Sequence, residues 1–78
     1  MSTQKLSNIS LATLRVFLSA CGCEHVSTEG GHEKWRKVGL TRPIIIQTHI
    51  DPVPEFIVKN ILRNLQMSKA DFFATLNK

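Results

Sequence analysis

The run Cys23-Glu24-His25-Val26-Ser27-Thr28-Glu29-Gly30-Gly31-His32-Glu33-Lys34-Trp35-Arg36-Lys37-Val38 decides the fold. Two strand-like segments flank a glycine pair. Glycine tolerates the positive φ angles of a tight hairpin turn, so the run reads as two antiparallel strands joined at Gly30-Gly31. With those glycines as the turn, Glu29 faces His32 and Val26 faces Trp35. Strand side chains alternate between faces. Trp35 and Val26 then point to a core. His32, Lys34 and Arg36 share the open face, with His25 across from Arg36.

Helical spacing appears on both sides of this hairpin. Before it, Leu11, Leu14, Phe17 and Leu18 recur at helical intervals. Ser10 suits the N-cap and Gly22 the residue just past the end, so a helix is expected over about 10–21. After the hairpin, Gly39 and Thr41-Arg42-Pro43 form a turn. Ile44-Ile45-Ile46 is a β-branched run expected as the third strand, ending at Gln47-Thr48-His49. Asp51-Pro52-Val53-Pro54 is a stiff loop, and Pro54 is suited to open a helix. Val58, Ile61, Leu62 and Leu65 line one side of that helix, with Glu55 and Lys59 paired on the wet side. Ser68 and Asp71 have the spacing of a capping box, which starts a short last helix carrying Phe72, Phe73 and Leu76. The expected architecture is α+β: α-β-β-β-α plus a short C-terminal helix, with helices on one face of a three-stranded antiparallel sheet.

The chain has 78 residues and a formal charge of +4. That is one domain, 1–78, with a modest core and little room for a deep cavity. A site should therefore lie on an open face or an edge. The basic balance favours polyanionic partners such as nucleic acid or an acidic protein. Cys21 and Cys23 are too close in sequence to bridge readily, and no disulfide framework is expected. Cys21, Cys23 and His25 lack the second ligand pair that a structural zinc site uses, so no metal is expected. The start, Met1-Ser2-Thr3-Gln4-Lys5, has no apolar run behind it, and no stretch is long enough to span a membrane. A reducing cytoplasm is the expected setting.

The order of these motifs resembles the HicA family, the mRNA interferase toxins of HicA–HicB toxin–antitoxin pairs. The similarity runs from about Leu11 to Phe73. It is carried by Leu14, Phe17, Leu18 and Gly22; by Gly31-His32 with Trp35, similar to a Gly-Ser-His hairpin followed by a bulky apolar residue; and by Ile61-Leu62-Arg63 with Met67-Ser68. The chain departs from the pattern at Gly30-Gly31, at Glu33, at Phe56-Ile57, and at His49, which has no adjoining proline. The resemblance implies a fold like the double-stranded RNA-binding domain and an endoribonuclease acting on mRNA. It also implies His32 as the catalytic residue, no cofactor, and a HicB-type antitoxin that neutralises the toxin.

The residues allow that chemistry. RNA can be cut without a metal when its own 2′-hydroxyl attacks the adjacent phosphate. An imidazole takes or supplies the proton, and a cation stabilises the added charge. His32 fits the first role. Lys34, Arg36, Lys37 and Arg42 are the candidates for contact with RNA, against the plainer reading of a solvated basic face. His25 and His49 are the candidates for a second proton-transfer group, with Glu29 and Glu33 weaker ones. Trp35 reads as core rather than as a platform for a base. The alternatives are a non-catalytic RNA-binding module of the same fold, and an interaction domain that recruits another chain through its sheet edge or terminal helix.

Overall fold

A computed structural model describes residues 5–77 of the chain. Met1 to Gln4, part of the start read above for a leader, lie outside the described residues. The elements run α1 (Leu11–Ala20), β1 (Glu24–Glu29), β2 (His32–Arg36), β3 (Ile44–Gln47), α2 (Glu55–Leu65) and α3 (Lys69–Leu76). The fold class is α+β, with a single open antiparallel sheet in the order β1-β2-β3.

Local chemistry sets the helix ends. The Ser10 side chain accepts from the Thr13 backbone N–H, and a second acceptor comes from far away: Asp51 Oδ1 takes the Leu11 N–H at 3.1 Å. Both answer donors that the first helical turn leaves unpaired. α1 ends at Ala20 with Cys21 as its C-cap, and Gly22 follows with φ +88°. α2 follows Pro54 and carries the Glu55–Lys59 ion pair at 3.2 Å on its wet side. It stops at Gln66, a non-glycine residue in the left-handed region. The Ser68–Asp71 capping box forms in both directions and opens α3.

The core lies between the helices and one face of the sheet. Leu14, Phe17 and Leu18 of α1 meet Val58, Ile61 and Leu62 of α2, Phe72 of α3, and Trp35, Ile44 and Ile46 of the sheet. The Phe17 and Phe72 rings stack tilted at 4.5 Å, which joins the first helix to the last. β2 and β3 alternate buried and exposed residues as a sheet covered on one side must.

β1 differs from the expected register. Glu29 faces His32 as read from the turn, but a bulge between His25 and Ser27 inserts Val26 as an extra residue. His25 therefore pairs with Trp35, and Glu24 with Arg36. Val26 is 48% exposed rather than in the core. The helices do not cover this edge strand, whose residues are exposed or at most half-buried. The bulge thus costs the core only one valine.

Candidate active site

The open face of the sheet carries the candidate catalytic residue. His32 begins β2, directly after the glycine turn, and is exposed. Lys34 and Arg36 follow on the same face, also exposed. Successive same-face residues on a strand lie about 6.7 Å apart, so the row spans about 13 Å. Across the sheet, Glu29 stands opposite His32 on one side and Gln47 on the other. Lys34 has Ser27 and Ile45 as its neighbours.

The second histidine is His49, held at the same end of the hairpin. Thr48 donates its backbone N–H to the Gly31 carbonyl at 2.8 Å and its hydroxyl to the same oxygen at 3.1 Å. That clamp lays the His49 ring over the turn. A methyl group added at Gly31 would lie 3.4 Å from His49 Nδ1. Gly31 also has φ +84°, so the position requires glycine on conformational grounds as well. His32 follows this turn directly and His49 lies against it, so both belong to the same end of the hairpin.

His25 does not join them. The bulge turns it to the face of Trp35, against whose ring it makes an edge contact at 5.6 Å. Its Nε2 pairs with the Thr28 hydroxyl at 2.8 Å. The expected position of His25 across from Arg36 on the open face is corrected by this bulge. The remaining cations divide. Lys34 and Arg36 form the row with His32. Lys37, half-buried beyond the end of β2, acts on the Cys21 and Cys23 thiols through its charge. Arg42 is exposed in the connection to β3.

Glu33 leaves the list of proton-transfer candidates for a structural reason. It is 5% exposed, on the core face, and its carboxylate is enclosed by donors. Arg15 donates from Nε at 3.2 Å and from Nη2 at 3.0 Å, and Trp35 Nε1 donates at 2.6 Å. Burial alone would raise this carboxyl. The Arg15 and Trp35 hydrogen bonds, with the Arg15 charge and a smaller share from His25, outweigh it and hold the group below the usual glutamate range. Its place on the Trp35 face follows from i, i+2 alternation. Its partner stands 18 residues upstream on α1.

Burial pushes the Cys21 and Cys23 thiols up, so neither is an activated nucleophile. Cys23 packs in the core as a small apolar residue. Among the described residues no group of three or more His, Cys, Asp or Glu side chains is arranged to hold a metal ion. None of the described helices is long and apolar enough to cross a membrane.

A pocket of about 280 Å³ opens beside His32. Its walls are His32 from β2; Ile45, Ile46 and Gln47 from β3; Ile50, Val53 and Pro54 from the following loop; and Ile57 from α2. The loop is tied down by the Val53 N–H, which donates to the Ile9 carbonyl at 2.7 Å, and by the Asp51–Leu11 bond. Sequence reading missed this pocket. Its signal was the alternation of β3, which sends Ile45 and Gln47 to the face of His32.

Comparison of the chain with protein-family models, with curated proteins and with solved structures finds no match.

Proposed function

We propose that the protein is a metal-independent endoribonuclease of the HicA toxin type, which cuts mRNA at His32 and is held inactive by a HicB-type antitoxin. The observation that carries this reading is the open-face row His32, Lys34, Arg36, with His49 clamped over the adjoining turn. In the step itself the RNA 2′-hydroxyl attacks the neighbouring phosphorus. The new P–O2′ bond forms as the P–O5′ bond breaks. One imidazole takes the 2′-hydroxyl proton, and the other gives a proton to the departing 5′-oxygen. The Lys34 ammonium, one same-face step away, stabilises the charge gathered on the phosphoryl oxygens. An open sheet face suits a long polymer, which a deep cavity would exclude.

The basic row also explains why an acidic antitoxin would silence the enzyme: it would neutralise the cations and cover the face at once. A cytoplasmic site of action goes with an mRNA substrate. The test is incubation of the purified protein with messenger RNA in excess EDTA. Cleavage that persists under chelation and is lost in His32→Ala is the expected result. Binding without cleavage by the parent protein would instead support the RNA-binding module, and cleavage that needs a divalent metal would overturn the mechanism.

A further inference from the structure

The pocket beside His32 has the composition of a ligand site. We infer that it holds a single nucleobase, that of a nucleotide next to the scissile phosphate, with the Gln47 side-chain amide reading the base edge. The inference rests on the RNA-cleaving reading of the same face and adds a substrate-selecting subsite to it.

Four observations carry it. The first is size. At about 280 Å³ the pocket falls just under the range for drug-sized ligands, roughly 300 to 1,000 Å³, which suits one flat ring system and little more. The second is lining. Ile45, Ile50, Pro54 and Ile57 offer apolar surface to the faces of a ring, while His32 and Gln47 supply the polar groups. A base has that division, with apolar faces and a polar edge. Gln47 makes no side-chain hydrogen bond among the described residues, and its amide offers both donors and an acceptor. The third is position. Gln47 is the cross-strand partner of His32, so a base held there leaves its phosphate beside the imidazole. Lys34 and Arg36 continue the row away from the pocket, and their spacing suits successive phosphates of an extended strand. The fourth is rigidity. The loop carrying Ile50 and Pro54 is anchored to the start of α1 by the Ile9–Val53 and Asp51–Leu11 bonds, so the pocket is formed before a ligand arrives. An apolar side chain of a protein partner would fill the same volume. It would leave Gln47 unpaired and make no use of the cation row.

The experiment titrates the wild-type protein, labelled at its isoleucine methyl groups, with each of the four ribonucleoside 3′-monophosphates, followed by NMR. At least one nucleotide should shift the Ile45, Ile50 and Ile57 methyls saturably while leaving the buried Ile61 methyl in place. Gln47→Ala, a change at an exposed residue, should narrow the difference between the best and worst nucleotide by about fivefold, the worth of one neutral hydrogen bond. Ile57→Trp, which fills the pocket, should abolish the methyl shifts at Ile45 and Ile50. If no nucleotide moves these methyls at millimolar concentration, or if the shifts are confined to residues around Lys34 and Arg36, the base pocket is overturned even when RNA is still cut. Methyls moved only by an isoleucine-rich peptide would overturn it in favour of a protein contact. Nucleotides that bind as described to a protein that cuts no RNA would keep the pocket and remove the nuclease reading.

Discussion

At the scale of single residues, three histidines are candidates for the two proposed proton-transfer roles, and a bulge separates one of them from the other two. His32 and His49 stand at the Gly31 turn, while His25 is turned to the Trp35 face. If both roles in proton transfer belong to the turn, His49→Ala should lower the cleavage rate by about 10² or more, within the range for general acid–base help. His25→Ala should stay within about twofold of the parent. Rates measured on one RNA under single-turnover conditions check this. A large loss at His25 with none at His49 would reverse the assignment. His32 was visible in the sequence because a glycine pair marked the turn beside it. The choice of His49 over His25 was not. The bulge at Val26 has no glycine to announce it, and counting pairs outward from the turn goes out of phase at that one residue.

At the scale of elements, the sheet is fastened to α1 by a polar cluster within an otherwise apolar core. Glu33 links Arg15 of α1 to Trp35 of its own strand. Trp35 is 6% exposed, so Trp35→Ala should destabilise the fold by about 3 to 5 kcal/mol, the usual cost of removing a large buried aromatic. Chemical denaturation measures it, and an unchanged midpoint would contradict the placement of this ring. The cluster also predicts a pH dependence. The folded value of the Glu33 carboxyl lies below its unfolded value. Its stabilising contribution is therefore whole at neutral pH and declines as the pH falls below roughly 4.3, the ordinary glutamate value. Glu33→Gln should be less stable than the parent at pH 7, and the gap should close as the pH approaches the folded value. Parallel losses for the two proteins between pH 7 and pH 3 would contradict the cluster's role. The helices were readable because each carries its own punctuation: Ser10 and Gly22 for α1, Pro54 for α2, and the Ser68–Asp71 box for α3. A buried acid is harder to read. Nothing within its own strand except the spacing to Trp35 indicates that Glu33 turns inward, and the arginine that makes this tolerable lies on another element.

At the scale of the whole molecule, the +4 charge gains meaning from its arrangement. Lys34 and Arg36 line the open face with His32, while Lys59 is already paired with Glu55 on α2. Binding of single-stranded RNA to the cleavage-deficient His32→Ala protein should weaken with salt. Lys34→Ala and Arg36→Ala, added singly, should each flatten the log–log slope by about 0.7, one phosphate's worth for a single strand. Lys59→Ala should leave the slope unchanged. Fluorescence anisotropy across a salt series distinguishes a directed row from diffuse attraction, which would make all three substitutions equivalent.

The central claim is that His32 assists attack by the RNA's own 2′-hydroxyl. The most direct measurement uses a short RNA cut at one mapped position and the same RNA with a single 2′-deoxy nucleotide on the 5′ side of that cut. In excess EDTA, the parent protein should cleave the first, leave a 2′,3′-cyclic phosphate end, and fail to cut the second at that bond. His32→Ala, folded as judged by circular dichroism, should cut neither. Cleavage of the deoxy-substituted bond, or full activity in His32→Ala, would contradict the account.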